Sequence, residues 1–544
     1  MPAPSAGAIS NALLYTTEYW ASSNVTYSVP GAGALWSGYS AGEENTNADY
    51  GVFNLTQATR FREAVEAWDG LIAINLNEVP DASPGDIRIA FTDVGDFADA
   101  QTIAYAYSPG PAGGVVPPWA ADIWITSDWK DGIFAPGLIS YETMLHELGH
   151  TLGLKHPFEG NPTLAAAYDT TRYTLMSYTP SDDDYLTFIT FSNGQAILDY
   201  DEVFVSTPMV FDVLAIQARY GADPNTAAGA DSYTFDITTG FFKTIYDAAG
   251  ADTFDLSTLS RGSVVDLTPG AYSSIGYWSW QDQAAYWAGQ APSLSRASID
   301  AWFNDPYTYT WSNNLGIAYS TTIENLIGSG SADTVTGNAV ANVLQGLAGD
   351  DRILGGDGDD SLAGGDGHDF LWAELGDDTI IGGIGNDYIH GNQGGDSAWG
   401  GLGNDSVLGG QGVDRVYGED GDDIVYGNMG IDTVDGAAGN DTLRGGQDDD
   451  LMLGSDGNDW MSGDRGADTM SGGAGADIFS TWGDAAVDLV TDFNSALGDR
   501  VKFEVPTSYT VTYQGSDTVI QMVGGAQMIL QGVTQATLGN WLLA

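Results

Sequence analysis

The chain of 544 residues contains no cysteine, so no disulfide can brace it and no thiolate can bind a metal or attack a substrate. Basic side chains are scarce: 16 lysines and arginines stand against 74 aspartates and glutamates, a net charge of −58 at pH 7. That imbalance excludes nucleic acid as a partner and sets the chain against anionic membranes; its natural counterions are cations. Histidine is rarer still, with five in all. No run of about 18 apolar residues could span a membrane. The opening Met1-Pro2-Ala3-Pro4 is not a basic stretch followed by an apolar one, so an exported form is expected to leave without a cleaved N-terminal signal.

What is present divides into four stretches. Residues 1–225 read as mixed α and β. Val25–Val29, Ile87–Phe91 and Asp122–Thr126 have strand character, and Phe61, Val65 and Trp68 share one face of a helix expected over 56–70. A second helix is expected from about Ser140 to Gly153. Residues 226–330 read as short strands and turns, with an aromatic-rich insert at 277–311. That insert is either a packed subdomain or an exposed surface for a glycan or partner. Residues 331–479 are a repeat, and 480–544 read as further strands with an expected secretion signal.

The repeat has a period of nine. Aspartate recurs at Asp333 and then at Asp351, Asp360, Asp369, Asp378, Asp387, Asp396, Asp405, Asp414, Asp423, Asp432, Asp441, Asp450, Asp459, Asp468 and Asp477, with Asn342 in the one gap. Two residues after each stands an apolar side chain, as at Ile353, Leu362, Leu371, Val407 and Phe479. Gly355-Gly356-Asp357-Gly358-Asp359-Asp360-Ser361-Leu362-Ala363 displays the unit and matches the nonapeptide of RTX proteins. Glycine turns expose backbone carbonyls and the aspartate adds a carboxylate, an all-oxygen set suited to Ca²⁺. Two units make one coil of a parallel β-roll. The registers at Asp333 and Asn342 lack most of their glycines, and Glu374 and Asp448 replace a glycine in theirs, so these sites are expected to be weak or empty. Without calcium the carboxylates repel one another. The segment is therefore expected to be unfolded in calcium-poor surroundings and to fold in the calcium found outside cells.

Three of the five histidines fall in His146-Glu147-Leu148-Gly149-His150-Thr151-Leu152-Gly153-Leu154-Lys155-His156. His146 and His150, four apart, project from one helical face and can share a zinc ion with Glu147 beside them. Gly153 lets the chain turn sharply and return His156 as a third ligand. Three protein ligands leave a position open for water, the arrangement of catalytic zinc, with Glu147 placed to take the water's proton. Downstream, Thr174-Leu175-Met176-Ser177-Tyr178 fits the methionine turn of metzincins, with Met176 as an apolar floor beneath the ligands. His368 and His390 read as surface residues of the repeat.

Taken in order, His146 to Pro157, the Leu175–Tyr178 turn and the repeats resemble the serralysin family of secreted metalloproteases, although the repeat block is longer than is usual there. The resemblance implies an α+β zinc metalloprotease (metzincin) domain followed by an all-β parallel RTX roll. It implies zinc on His146, His150 and His156, with Tyr178 as an extra ligand that swings away to stabilise the oxyanion and Glu147 as general base. It also implies that the strand near Ala104–Tyr107 pairs with an extended peptide substrate, and that export uses type I secretion machinery reading an uncleaved C-terminal signal. The expected function is a secreted zinc metalloendopeptidase with one catalytic Zn²⁺ and several structural Ca²⁺, acting as a monomer. The alternative is a calcium-binding protein of a surface layer or matrix with narrow or idle protease activity.

Overall fold

The computed structural model describes residues 4–543 apart from 33, 35, 37–38, 40–49, 93–101, 113–116, 182–183, 194, 482–485 and 504–507. The chain forms two compact units. The first comprises Met1–Asp231, Asp236–Ala251 and Pro269–Thr322, and the second Ser232–Phe235, Asp252–Thr268 and Ile323–Ala544.

The first unit is α+β. After α1 (Ala6–Leu13), strands β1 (Asn24–Ser28), β2 (Asn75–Glu78), β3 (Ile87–Thr92), β4 (Ala104–Ala106) and β5 (Asp122–Thr126) form a sheet in the order β2-β1-β3-β5-β4. All pairs are parallel except β4–β5, so β4 is an antiparallel strand at the edge. Between β1 and β2 runs α2 (Leu55–Asp69). Asn54 and Gln57 cap it reciprocally, each side chain accepting from the other's backbone N–H at 3.0 Å, which satisfies two N–H groups that a helix start leaves without partners. Its buried face of Phe61, Ala64, Val65 and Trp68 meets α3 (Ile139–Thr151), where Trp68 Nε1 donates to the Leu145 carbonyl at 3.1 Å. Then follow the hairpin of β6 (Tyr185–Ser192) and β7 (Gln195–Glu202), and α4 (Val210–Tyr220).

The aromatic insert departs from the expected strands and turns. It contains two helices, α5 (Trp280–Gln290) and α6 (Arg296–Phe303), each opened by a serine, Ser279 and Ser295, whose side chain accepts from the N–H three residues on. Ala284, Ala291, Ile299 and Phe303 form a small core with Ile189 of β6, and Tyr309 and Trp311 join the main core. Tyr277, Tyr286 and Tyr307 remain exposed. Most of the insert therefore has the packed form.

The second unit is the parallel β-roll. Through the repeat, each strand pairs in parallel with the one eighteen residues on, as Leu362 with Ile380 and Ile389 with Val407, and successive nonapeptides alternate between two sheets, which number fifteen and eleven strands among the described residues. The apolar ladder is buried between the sheets. The roll starts well before the glycine repeat. Ser232–Thr234, Thr253–Asp255 and Asn325–Ile327 precede Val343–Ala348 in the larger sheet, and Val264–Asp266 and Thr334–Thr336 precede Arg352–Asp357 in the smaller. At the far end, Tyr509–Gln514, Asp517–Met522 and Gln527–Leu530 pair antiparallel and extend the larger sheet. The stacking of turns explains one glycine of the unit. At the position two before most of the aspartates, as at Gly403, a Cβ would lie 1.7 Å from the carbonyl oxygen of Gly385 in the previous coil, although Asp448 holds that place before Asp450 at φ +76°. Four before the aspartate a side chain is tolerated, at the strain of a positive φ: Glu374 adopts +82° and Glu419 +74°.

Candidate metal centre and active site

Helix α3 ends where the ligands need it to. His146 and His150 lie on it one turn apart, and the chain leaves through Gly153 at φ +94°, where a Cβ would also fall 2.6 Å from the Glu18 carbonyl oxygen. The turn brings His156 back. Its Nε2 lies 3.3 Å from that of His146 and 3.1 Å from that of His150. A tetrahedral zinc with bonds of about 2.0–2.1 Å keeps its nitrogens about 3.3 Å apart, so the three rings fit the ion. The opposite nitrogens are all engaged: Nδ1 of His146 with the Leu175 carbonyl at 2.9 Å, of His150 with the Leu154 carbonyl at 2.9 Å, and of His156 with Glu159 Oε1 at 2.8 Å. Those acceptors fix the tautomer that leaves each Nε2 lone pair for a metal. Burial lowers the pKa of His146 well below the ordinary imidazole range and that of His150 to about 4, so both are neutral at physiological pH.

The floor beneath the rings is Met176, fully buried. A Cβ on Gly149 would meet its sulfur at 2.7 Å, so the glycine inside the His-Glu-x-x-His stretch is what lets the methionine turn close against α3. The turn is held by a residue that sequence reasoning missed. Asp212 of α4, wholly buried, accepts from Thr174 Oγ1 at 2.5 Å, Leu175 N at 2.7 Å and Met209 N at 2.9 Å. It thereby positions the Leu175 carbonyl that orients His146. A lone acid within the apolar run Met209–Leu214 was the available signal.

Glu147 is buried, and its Oε2 has no hydrogen-bond partner; burial raises its pKa to about 8. A cation on the three imidazoles acts against that shift. Tyr178 is 65% exposed, its ring 4.5 Å from that of His156 and 5.5 Å from that of His146, centroid to centroid. Burial of the hydroxyl, then the Glu147 charge, push it up to about 12, so it stays protonated. Glu147, Tyr178 and His146 line a cavity of about 500 Å³ that reaches Ala104 on the sheet edge.

In the roll, all fifteen aspartates from Asp351 to Asp477 present a buried Oδ2 without a hydrogen-bond partner, while Oδ1 accepts an N–H from the preceding coil, as Asp387 from Asp369 N at 2.8 Å. Five residues before each stands a glycine in all but one unit, and a Cβ there would crowd that same Oδ2, at 2.4 Å for Gly355 and 2.0 Å for Gly463. Orphaned carboxylate oxygens packed against glycine backbone, in a turn rich in carbonyls, fit Ca²⁺. The exception is the unit of Asp378, where Ala373 occupies the position. Of the four registers expected to be weak, two satisfy themselves: Asp333 Oδ2 accepts from Ser329 N at 2.7 Å and Asn342 Oδ1 from Asn338 N at 2.8 Å, whereas the units carrying Glu374 and Asp448 keep the orphaned Oδ2 of Asp378 and Asp450. His368 is exposed and His390 half-buried.

Comparison with known proteins bears on both units. Residues 44–188 match the Matrixin family and 141–236 a Met-zincin family. The RTX calcium-binding nonapeptide repeat matches in overlapping windows from 327–362 to 453–485. The chain is a metzincin domain joined to RTX repeats, and the serralysin family fits it. Metallopeptidase AprA of Pseudomonas marginalis is 31% identical over 249 residues, 41% of this chain and 49% of its own length. Serralysin A of Dickeya chrysanthemi is 28% identical over 302 residues, 52% and 53% of the two chains, and a serralysin of Proteus mirabilis is 30% identical over 287, 46% and 53%. This serralysin-like chain thus spans about half the length of the curated relatives it matches.

Proposed function

We propose that the chain is a secreted zinc metalloendopeptidase, with a catalytic region over 1–225, a connecting region over 226–330, a calcium roll over 331–479 and a C-terminal export region over 480–544. The observation that carries the reading is the convergence of three Nε2 atoms, with their Nδ1 atoms all engaged, beside a buried carboxylate that opens into a cavity. His146, His150 and His156 would hold Zn²⁺, which when bound supplies a Lewis acid for the scissile carbonyl. The strand β4, last in the sheet, would pair with an extended peptide, which is the geometry of strand addition. Glu147 Oε2 takes the proton of the attacking water and returns it to the leaving nitrogen. The Tyr178 hydroxyl, kept protonated, donates a hydrogen bond to the oxygen that gains charge, and as an extra ligand it would leave the metal to do so.

Extracellular action follows from the roll, whose aspartates would bind calcium at the roughly 10⁻⁴–10⁻³ M found outside cells. Among the described residues no helix is long and apolar enough to cross a membrane. Export through type I machinery and a monomeric state belong to the same proposal. The test is peptide hydrolysis with metal analysis. The wild type should contain about one zinc and cut casein, and Glu147→Gln should keep the zinc and lose roughly 10²–10⁴-fold in rate. Full activity in Glu147→Gln, or no bound zinc, would sink the reading.

A further inference from the structure

The cavity beside Glu147 holds more acid than peptide hydrolysis requires. Besides the residues already placed in the reaction, its wall carries three carboxylates, Glu142, Asp184 and Glu202, together with the apolar side chains of Ile139, Val203 and Phe204. The three acids come from separate parts of the fold. Glu142 lies on α3 four residues before His146, so it leaves the same helical face as that ligand, one turn away. The backbone N–H of Val205 donates to its Oε2 at 2.9 Å and fixes the carboxylate in place. Asp184 and Glu202 meet at the open end of the β6–β7 hairpin, where Tyr185 pairs with Glu202 and Val203 N donates to the Asp184 carbonyl at 2.7 Å. Asp184 is buried, Glu142 half-buried and Glu202 exposed.

The charges acting on Glu142 are both negative. Burial first, then Glu202 and Asp184, raise its carboxyl to about 7. The same cavity also receives the partnerless, buried Oε2 of Glu147. A space of about 500 Å³ with one apolar wall and converging carboxylates suits a side chain that is a methylene stem ending in a cation.

We infer that this cavity is a substrate subsite for a lysine or arginine side chain flanking the scissile bond, with Glu142 and Glu202 as its specificity-determining carboxylates and Asp184 alongside them. The inference deepens the peptidase reading above and rests on it. A neutral occupant would leave Glu142, Asp184 and Glu202 repelling one another in the cavity wall, whereas a guanidinium or ammonium group relieves that repulsion.

The experiment compares peptides that differ only in lysine or norleucine at each of the two positions flanking the cut bond, in zinc- and calcium-loaded protein. The wild type should prefer lysine at one position by at least about tenfold in kcat/KM. That lysine-to-norleucine ratio should fall toward one in Glu142→Gln and in Glu202→Gln; because it is a ratio, it is insensitive to a partly folded preparation. A wild-type ratio near one, or a ratio unchanged in both variants, would overturn the inference. If no peptide of any kind is cut, the peptidase reading fails, and the subsite is judged by calorimetry with n-pentylamine against 1-pentanol. Selective binding of the amine that is lost in Glu142→Gln upholds a cation subsite, and equal or absent binding of the two overturns it.

Discussion

At the scale of single residues, the metal centre depends on groups that never touch the metal. Asp212 gathers two hydrogen bonds from the methionine turn and a third from Met209 N, and so places the carbonyl that receives His146 Nδ1. Removing an outer partner of this kind costs about 10–100-fold in metal affinity. Asp212→Ala should therefore weaken zinc binding by that factor while leaving calcium binding by the roll untouched, as read by competition with a chromogenic chelator. Unaltered zinc affinity would mean that the turn holds itself. Gly149 makes a second case. A methyl group there must displace Met176 sulfur from 2.7 Å, and overpacking of this sort costs about 1–3 kcal/mol. Gly149→Ala should lower the stability of the first unit by that amount in a urea titration followed by tryptophan fluorescence.

At the scale of elements, the roll is a column of carboxylates. Burial, opposed by one N–H and in most registers reinforced by neighbouring acids, raises the aspartates from Asp351 to Asp477. Asp369 and Asp387 reach about 6, Asp351 and Asp423 about 7, and Asp450 about 8. With folded values above unfolded ones, the metal-free roll binds more protons than the unfolded chain between about pH 4 and 7, so its stability falls as pH rises through that window. In chelator, β-structure measured by circular dichroism should be retained near pH 4 and lost by pH 7, and millimolar calcium should restore it at pH 7. A metal-free roll equally folded at both pH values would contradict the assignment of these carboxylates. The repeat was legible in the sequence because its logic is local: turn, carboxylate and apolar residue recur at fixed spacing. The His146–His156 geometry was legible for the same reason, with helix period and one glycine sufficing. Asp212 was not, because its partners Thr174 and Leu175 lie nearly forty residues away, nor were Glu142, Asp184 and Glu202, which only the tertiary fold assembles. Helices α5 and α6 were hidden beneath aromatic residues that suit strands as well, although Ser279 and Ser295 marked their starts. The roll's early strands at 232–266 carry none of the glycine pattern and gave no periodic signal.

At the scale of the whole molecule, the roll is a one-dimensional array in which each coil contacts its neighbours, and such arrays tolerate changes of length that preserve the interface between repeats. Removing residues 397–414 joins Asp396 to Arg415 and leaves every later strand in its own sheet, because Ser397 and Arg415 occupy equivalent positions. Removing only 397–405 sends each later strand to the opposite sheet, so the antiparallel strands at 509–530 reach the wrong one. The eighteen-residue deletion should retain calcium-induced folding and a melting temperature near that of the parent, and the nine-residue deletion should melt lower although it removes less. Equal melting of the two would mean that the ends of the sheets are interchangeable.

The alternation of nonapeptides between two sheets thus has a genetic consequence. The repeat visible to the eye is not the unit of inheritance: a gene of this kind lengthens or shortens safely only by paired copies, eighteen codons at a time, and a single duplicated nonapeptide is a frameshift of architecture rather than of reading.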